Sequence, residues 1–352
     1  MDNHAETSDH GRSTSTDGLQ IEPVVLAGHQ TFSGRPFPRV LGCRFPATLD
    51  AVAAWVRELR PWLEGQLALD GAILFRGLPL ATAEDFDHFV TAFGWENFPY
   101  DESLSNAVRL NRTPRVFTAN EAPPTVTIFL HHEMAQTPIY PSKLFFFCEH
   151  PADEGGATPL CRSDILWQRL VERCPEFARN CLEKGLCYTN VMPSQNDPTS
   201  GMGRSWQSTL RAATRDQAEN RLQRLGYRWQ WLDDGCLRAT TPVLPATHEL
   251  ADGRRSFFNQ LIAAYRGWKD ARNDPSKSIT CGDGTPLDAA GARTAAELAD
   301  ELTFDLQWER GDVALVDNHL VMHGRRTFSG TRKVLASLVA ATRHQILKPL
   351  SR

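Results

Sequence analysis

The stretch TIFLHHEMAQTPIYPSKLFFF, Thr127 to Phe147, places two adjacent histidines and a glutamate between two apolar runs. Adjacent residues of an extended strand point to opposite faces, so His131 and Glu133 can point at one site while His132 faces away. A histidine and a carboxylate on one face supply two ligands of a metal site. The H-E-x-x-H pattern of zinc proteases is absent, because Gln136 stands where its second histidine is needed.

Strand patterns dominate the second half of the chain. The segments SKLFFFCEHP, RRSFFNQLIAAY, LTFDLQWE and DVALVDN are predicted to be strands, separated by DEGG, ADG and ERGD turns. Helical periodicity occurs there around 166–184, 214–225 and 294–302. Since strands and helices do not alternate strictly, a doubly wound parallel sheet is disfavoured. The pattern predicts a mainly β fold with helices (α+β), a β-barrel or double-sheet jelly roll with helices packed outside.

The first half of the chain is predicted to hold a tail, two helices and a buried strand. Residues 1–20 are polar and lack periodicity, so a disordered N-terminal tail is expected. Apolar residues recur every three or four positions from Thr48, which predicts an amphipathic helix, and GAILFRGLPL follows as a strand. A second helix should begin with the capping pattern at Thr82 and end at Gly94. Residues 21–352 are predicted to form one domain.

Composition limits the classes of partner. The 352 residues carry a formal net charge of −4, so the basic field that nucleic acid requires is not expected. No signal-peptide pattern or membrane-length apolar run is present, which predicts a soluble, cytoplasmic protein without a membrane partner. The eight cysteines are scattered without a C-x-x-C pair, which favours reduced, mostly buried thiols over a zinc knuckle or a disulfide scaffold. Small molecules are the expected partners, and the oligomeric state stays open.

A second polar cluster follows the DVALVDN strand. Its members are His319, His323, Arg325, Arg326 and Arg332. Two histidines and one carboxylate on a β-scaffold form the facial triad of non-haem iron(II) oxygenases, which leaves metal positions open. A bidentate co-substrate would fill them, and an arginine on a nearby strand would suit the far carboxylate of 2-oxoglutarate, because a guanidinium binds a carboxylate in fork geometry.

Several segments together resemble one enzyme family. FLHHEMAQ, HPADEGGATPL and GDVALVDNHLVMHGRRTFSGTRKVLASL resemble the iron(II)- and 2-oxoglutarate-dependent oxygenases of the taurine dioxygenase superfamily, in particular its clavaminate synthase-like branch. FTANEAPP, PSKLFFFCE, RSWQST and FFNQLIAAYRGW are also similar to that branch, so the resemblance runs from about Gly71 to Leu338. It implies a double-stranded β-helix (cupin-like jelly roll) with a large insertion, iron bound by His131, Glu133 and His323, and 2-oxoglutarate held by Thr158 and Arg332.

The positions of the co-substrate residues agree with this implication. Thr158 follows the EGGA turn, so its hydroxyl can donate to a carboxylate oxygen, although a turn-capping role stays open. Arg332 lies beyond the FSG turn and can sit on the next strand facing the same cavity, with Lys333 on the other face. His319 is a rival third ligand, but the family pattern places the ligand immediately before GRR. Surface charge is expected for at least one of Arg325 and Arg326.

The implied activity is oxidation, by default hydroxylation, of a small molecule with conversion of 2-oxoglutarate and O2 to succinate and CO2. The branch often modifies amino acids, free or tethered to a carrier protein, in specialised metabolism. The insertion, from Arg162 to Tyr265, is expected to shape the substrate pocket. Candidate substrate-binding residues in and beside it are polar or aromatic: Asn120, Glu121, Arg204, Trp206 and Asn259. Two alternatives stay open, a non-catalytic barrel that binds a small carboxylate and a zinc hydrolase with the same three ligands.

Overall fold

The computed structural model describes residues 14–16, 19–44, 48–99, 104–105, 107, 109–200 and 202–347. The helices are α1 (Leu49–Asp70), α2 (Ala83–Ala92), α3 (Ser163–Arg173), α4 (Pro175–Lys184), α5 (Trp206–Leu210), α6 (Arg215–Arg224), α7 (Leu261–Gly267) and α8 (Ala289–Glu301). The strands are β1 (Thr14–Thr16), β2 (Leu19–Pro23), β3 (Gln30–Phe32), β4 (Arg35–Phe37), β5 (Arg39–Cys43), β6 (Ala72–Arg76), β7 (Phe117–Thr118), β8 (Ile128–His131), β9 (Ile139–His150), β10 (Glu154–Gly155), β11 (Thr158–Arg162), β12 (Leu186–Met192), β13 (Arg228–Trp231), β14 (Leu237–Thr240), β15 (His248–Glu249), β16 (Arg255–Ser256), β17 (Ile279–Cys281), β18 (Thr303–Leu306), β19 (Val313–Asp317), β20 (Val321–Arg325), β21 (Phe328–Ser329) and β22 (Lys333–Arg343).

Two sheets stacked face to face form the centre of the molecule. The larger has the strand order β1-β2-β5-β6-β19-β9-β22-β7, and the smaller has the order β18-β11-β20-β8. The paired strands are antiparallel except β5 and β6, which run parallel. This arrangement is the double-stranded β-helix, or jelly roll, and it confirms the predicted α+β fold class.

The apolar runs of the central strands are continuous because both faces of the larger sheet are covered. In β9, Phe145 and Phe147 pack on the outer side with α1 and α2. Leu144 and Phe146 point inward and pack with residues of the smaller sheet such as Leu160. The period of two along each strand therefore assigns every side chain to the helix layer or to the space between the sheets.

Helices close the outer face of each sheet. Helix α1 begins at an N-cap threonine, Thr48, and α2 begins with the predicted capping box, in which Thr82 and Asp85 bond each other's backbone N–H groups. On the other side, α3, α4, α7 and α8 pack on the outer face of the smaller sheet, where Cys161 and Met322 meet them. The predicted helices are therefore present, and the site lies between the two sheets that they cover.

The chain leaves the double sheet after Arg162 and returns at Thr303. This excursion carries α3 to α8 and a separate sheet of order β13-β14-β12-β17. The insertion is thus longer than the predicted span, which ended at Tyr265, because the segment after Tyr265 holds α8 and β17 before the sheet resumes. Its residues from Gly267 to Arg272 line the central cavity.

Two local predictions differ from the observed elements. The tail was expected to reach residue 20, but Thr14–Thr16 pairs with Leu19–Pro23 as two strands, and residues 1–13, 17 and 18 lie outside the described part of the chain. RRSFFNQLIAAY was expected to be a strand, but only Arg255–Ser256 is extended and Leu261–Gly267 is helical. A short, fully buried apolar run has no polar face, so periodicity cannot distinguish a helix from a strand there.

All eight cysteines are free thiols, and six of them are buried. Burial raises the pKa of the Cys148 thiol to about 12. Buried thiols of this kind pack as small apolar side chains. Among the described helices, none is long and apolar enough to cross a membrane.

Candidate metal centre and active-site cavity

Two histidines and a glutamate converge between the sheets. His131 ends β8, Glu133 follows two residues later, and His323 lies on β20 directly opposite His131. One ligand atom from each residue lies within 4.8 Å of the others. The Nε2 atom of His323 is 3.6 Å from Oε2 of Glu133. No other such group of three occurs among the described residues.

Strand alternation explains why His323 points into the molecule. In β20, Val321 packs in the core between the sheets and Met322 packs in the outer core. His323, two residues after Val321, therefore shares the inner face. Leu160 of β11 pairs opposite His323 and is also internal, so Thr158 faces the same space.

The position of Glu133 depends on Asn318. Strand β8 ends at His131, and Met134 has a positive φ of 56°, so the segment is not extended as predicted. The N–H of Glu133 donates to Oδ1 of Asn318 at 2.8 Å, and Nδ2 of Asn318 donates to the Glu133 carbonyl at 2.9 Å. His132 is fully buried on the other side, where its Nδ1 bonds the Asn318 carbonyl. Strand alternation alone therefore does not explain why His131 and His132 point in different directions, and the hydrogen bonds to Asn318 contribute to it.

His131 and Glu133 have the protonation that metal binding requires. Burial, reinforced by the neighbouring His323, lowers the pKa of His131 to about 4. Its Nδ1 lies 2.8 Å from the Phe129 carbonyl, an arrangement that leaves Nε2 for a metal. Burial opposes ionisation of Glu133, but the positive charge of Arg109 together with the neighbouring His323 and His131 outweighs it and holds the pKa of that carboxyl below its usual range. A neutral imidazole and an ionised carboxylate are the ligand forms that bind iron(II).

Arg109 is a site residue that the sequence did not indicate. Its Nη2 lies 3.1 Å and 3.0 Å from the two carboxylate oxygens of Glu133, and the side chains of both residues are almost fully buried. The guanidinium also lies over the ring of Phe117, 5.4 Å from its centroid. Arg109 belongs to no recognisable pattern, so no signal in the sequence could have found it.

Thr158 and Arg332 lie together next to the triad. Thr158 accepts a hydrogen bond from Trp308 Nε1 at 2.9 Å, which leaves its own hydroxyl proton available to a ligand. Arg332 donates to the Gly156 carbonyl at 2.9 Å, and its Nη2 is 3.4 Å from Thr158 Oγ1. Both residues line a small pocket together with His131 and His323.

The charge of Arg332 is poorly solvated. Burial and the like charge of Arg325 lower the pKa of Arg332 to about 10. Among the described residues, no carboxylate forms an ion pair with Arg332. A half-buried cation of this kind is stabilised by an anionic ligand. The pocket therefore suits a carboxylate at its inner end.

The other polar residues of the second cluster lie elsewhere. His319, the rival third ligand, stacks on His248 with ring centroids 4.0 Å apart and is not part of the metal-ligating group. Arg325 is buried and donates to the carbonyls of residues 122, 123 and 126, so it fixes that loop. Arg326 is half-exposed and pairs with Asp305, which is the surface role expected for one of the two arginines.

Comparison with known proteins decides the family. Residues 33–338 match the family described as taurine catabolism dioxygenase TauD, TfdA. The chain belongs to this family. It is therefore a non-haem iron dioxygenase that uses 2-oxoglutarate, and both alternatives drawn from the sequence, a non-catalytic barrel and a zinc hydrolase, lose their support.

Relatives of the TauD/TfdA protein cover most of its length. A clavaminate synthase-like protein of Arabidopsis thaliana is 40% identical over 327 residues, 91% of this chain and 98% of the relative. The dapdiamide synthesis protein DdaC of Enterobacter agglomerans is 26% identical over 285 residues, 78% of this chain and 83% of the relative. The predicted resemblance to the clavaminate synthase-like branch is thereby confirmed.

Solved structures share the jelly roll of this TauD/TfdA dioxygenase. PvcB, an Fe, alpha-ketoglutarate dependent oxygenase from an isonitrile synthetic pathway, aligns with a TM-score of 0.51 and 15% identity over 95% of this chain and 98% of its own. An asparagine oxygenase bound to Fe(II), 3-hydroxyasparagine and succinate aligns with a TM-score of 0.51 and 13% identity. The alignment covers 82% of this chain and 81% of the oxygenase. At these identities the likeness shows the shared fold.

A cavity of about 430 Å³ opens onto His131 and Glu133 of the dioxygenase. Asn120, one of the five candidate substrate residues, lines it. Glu121 is exposed and is not among the described residues that line it. Asn120 Oδ1 accepts a hydrogen bond from the Ala122 N–H at 2.6 Å, which spans Glu121.

The three candidates from the insertion have structural contacts instead. Arg204 is buried and donates to the Ser105 and Ser208 carbonyls. Trp206 packs edge-on against Trp231 in a separate apolar cluster. Asn259 is fully buried and bonds the Ala246 carbonyl and the Leu261 N–H. None of these three is among the described residues that line the cavity, so their contact with substrate stays a prediction that the cavity lining does not support.

Proposed function

We propose that this TauD/TfdA dioxygenase hydroxylates an amino-acid-like small molecule, free or carrier-tethered, in specialised metabolism. His131, Glu133 and His323 would hold the iron, and Thr158 and Arg332 would hold 2-oxoglutarate. The observation that carries the proposal is one small pocket lined by His131 and His323 of the three-residue group together with Arg332, a half-buried arginine without an acidic partner among the described residues. A cytoplasmic location is part of the proposal, in keeping with the free thiols.

The residues of the triad divide the work of metal binding. His131 and His323 would each present a ring nitrogen, and Glu133 one carboxylate oxygen, so one face of the metal would be bound by protein. The open face is left for co-substrate and O2. When bound, iron(II) with 2-oxoglutarate and O2 supplies the oxidising power for C–H hydroxylation, with release of succinate and CO2. The protein residues hold the reactants in place and exclude water.

Arg332 and Thr158 would orient the co-substrate. The guanidinium would receive the distal carboxylate, and the Thr158 hydroxyl would donate to one of its oxygens, because Trp308 already occupies an acceptor site of that hydroxyl. A charge-assisted pair of this kind contributes roughly 1.5–3 kcal/mol. The keto-acid end would then face the triad, since the two histidines line the same small pocket.

An amino-acid-like substrate is supported by the relatives and by the cavity. DdaC is named for dapdiamide synthesis, and the asparagine oxygenase is solved with 3-hydroxyasparagine. The cavity of about 430 Å³ has room for a molecule of that size or somewhat larger. Its outer part carries Asp197, Asp270 and Arg272, and its inner part reaches His131 and Glu133.

The proposal is tested by anaerobic titration of the purified protein with iron(II) and then 2-oxoglutarate. We expect a visible charge-transfer band that appears only with both components and is lost in His323→Ala. Amino acids and their derivatives are then screened for perturbation of the band and for succinate release under O2. A protein that binds iron(II) but forms no band with 2-oxoglutarate, and releases no succinate, contradicts the proposal.

A further inference from the structure

Three carboxamide side chains line the cavity next to the proposed iron ligands. They are Asn120, Gln136 and Gln260. Gln136 follows Glu133 by three residues, and Gln260 bonds the backbone of His132. The sequence singled out Asn120 alone among the three as a substrate residue. The other two come from the turn after β8 and from the start of α7, which the tertiary structure brings together.

Gln136 is buried without a hydrogen-bond partner. Gln136 is 7% exposed. Its Oε1 is inaccessible to solvent and has no hydrogen-bond partner among the described residues. The backbone around it is held in place, because Ala135 N–H bonds the His132 carbonyl and Thr137 Oγ1 donates to the Met134 carbonyl. A buried amide left unpaired is unfavourable. Rotation of the amide about its terminal torsion exchanges the positions of Oε1 and Nε2, so a ligand in the cavity can bond either atom.

Gln260 and Asn120 present one free function each. Gln260 Nε2 donates to the His132 carbonyl at 3.0 Å, which leaves its oxygen as an acceptor that no described residue uses. Asn120 Oδ1 accepts from Ala122 at 2.6 Å, which leaves its Nδ2 as a donor. The cavity wall therefore offers an oriented acceptor on Gln260, an oriented donor on Asn120, and on Gln136 an amide that can act as either.

The charged side chains of the same cavity, apart from the exposed Lys269, are already engaged with one another. Arg109 contacts both carboxylate oxygens of Glu133. Arg272 pairs with Asp197 at 2.9 Å and with Asp270 at 2.7 Å. Polar recognition next to the proposed iron ligands is thus left to neutral groups. Neutral donors and acceptors match an amide, which has one N–H side and one C=O side, better than a free carboxylate or ammonium.

We infer that the cavity recognises a neutral amide group of the substrate, either a primary carboxamide or a peptide bond, through Gln136 and Gln260 with Asn120. This inference rests on the proposed function, because the amide would be held beside the C–H bond that is hydroxylated. A site with buried hydrogen-bonding groups rejects analogues that leave them unpaired, so the isosteric acid should bind much more weakly.

The test uses matched pairs of probes that differ in the amide alone. L-Glutamine and L-glutamate, L-asparagine and L-aspartate, and N-acetyl-L-alaninamide and N-acetyl-L-alanine are each titrated anaerobically into the protein loaded with iron(II) and 2-oxoglutarate. Apparent Kd values come from the shift of the charge-transfer band. We expect at least one amide to bind about tenfold or more tightly than its acid.

Substitutions of Gln136 and Gln260 then test whether these residues cause the preference for the amide. Gln136→Leu should form the charge-transfer band as before but reduce the amide preference to within about threefold, since an apolar side chain has no amide to pair. Gln260→Met serves as the second variant if Gln136→Leu does not fold. Lys333→Ala is the control, because it removes an exposed charge that does not line the cavity and should keep the preference.

The possible outcomes distinguish a failure of the amide inference from a failure of the proposed function. Absence of the band in the unaltered protein contradicts the proposed function. A normal band with no amide bound at millimolar concentration, with acids bound as well as amides, or with the preference intact in both variants, overturns the amide inference alone.

Discussion

Asn318 bonds both backbone groups of Glu133, accepting from its N–H at 2.8 Å and donating to its carbonyl at 2.9 Å. The same Nδ2 also donates to the Pro141 carbonyl at 2.7 Å. Asn318 is fully buried, and its neighbour Leu320 packs in the core between the sheets. The segment that leads to His323 thereby fixes the position of Glu133.

Asn318→Ala is expected to weaken iron(II) binding by roughly 10–100-fold, because partners that orient metal ligands typically have effects of that size. Binding is measured by anaerobic titration of the folded variant with iron(II). Asp317→Asn is the matched control, since Asp317 pairs with Lys143 and not with the triad. If Asn318→Ala bound iron(II) as tightly as the control, Asn318 would have no role in positioning Glu133.

Arg332→Ala should raise the concentration of 2-oxoglutarate needed for the charge-transfer band while leaving iron(II) affinity nearly unchanged. The lost interaction is worth roughly 1.5–3 kcal/mol, which corresponds to about 10–150-fold. Lys333→Ala is the control, because Lys333 is exposed on the other face of β22. An unchanged requirement for 2-oxoglutarate in Arg332→Ala would refute the assignment.

Thr158→Val should cause a smaller loss of 2-oxoglutarate affinity, about 0.5–1.5 kcal/mol, because it removes one neutral hydrogen bond and keeps the shape. Thr158→Ser should retain most of the affinity, since its hydroxyl can still accept from Trp308 and donate to the ligand. Both are compared by the same titration. A loss in Thr158→Val greater than that in Arg332→Ala would mean that the two roles are assigned wrongly.

The two adjacent histidines should respond differently to replacement. His131→Ala is expected to abolish iron(II) binding, whereas His132→Ala should retain it with a loss of at most roughly 10–100-fold, because His132 bonds the Asn318 carbonyl and not the metal. Iron content is measured at matched folding, checked by circular dichroism. Retention of iron by His131→Ala together with its loss from His132→Ala would show that the ligand assignment is off by one residue.

Acid should destabilise the protein through a cluster of half-buried histidines. Burial lowers the pKa of His319 and of His248, and lowers that of His344 to about 4. In the unfolded chain these groups take up protons near pH 6.5, so below that pH the unfolded state binds more protons and stability falls. The loss continues down to the folded pKa values.

The measurement is the free energy of unfolding in urea, for the metal-free protein, at about pH 7.5 and about pH 5. His319→Gln cannot titrate, so its decline between the two pH values should be smaller by up to about 2 kcal/mol. An equally steep decline in the variant would show that His319 does not contribute to the acid sensitivity.

The sequence alone determined the jelly roll and the main candidates of the site. Period-two alternation in LFFF and DVALVDN assigns residues such as Phe145 and Phe146 to opposite faces, and that pattern survives in the structure because both faces of the sheet are covered. His131, Glu133 and His323 were selected by ligand chemistry and family resemblance, and the structure brings their ligand atoms within 4.8 Å.

Only the tertiary structure decided what surrounds those residues. Asn318 meets Glu133 across 185 positions of sequence, and Gln260 meets His132 across 128, so no local pattern encodes either contact. Polar residues beside apolar runs look alike in sequence whether they face a cavity or cap a loop. Asn259 was predicted to bind substrate for this reason, but in the structure its side chain bonds the backbone of Ala246 and Leu261. The direction in which a polar side chain points is set by the packing of distant elements around it.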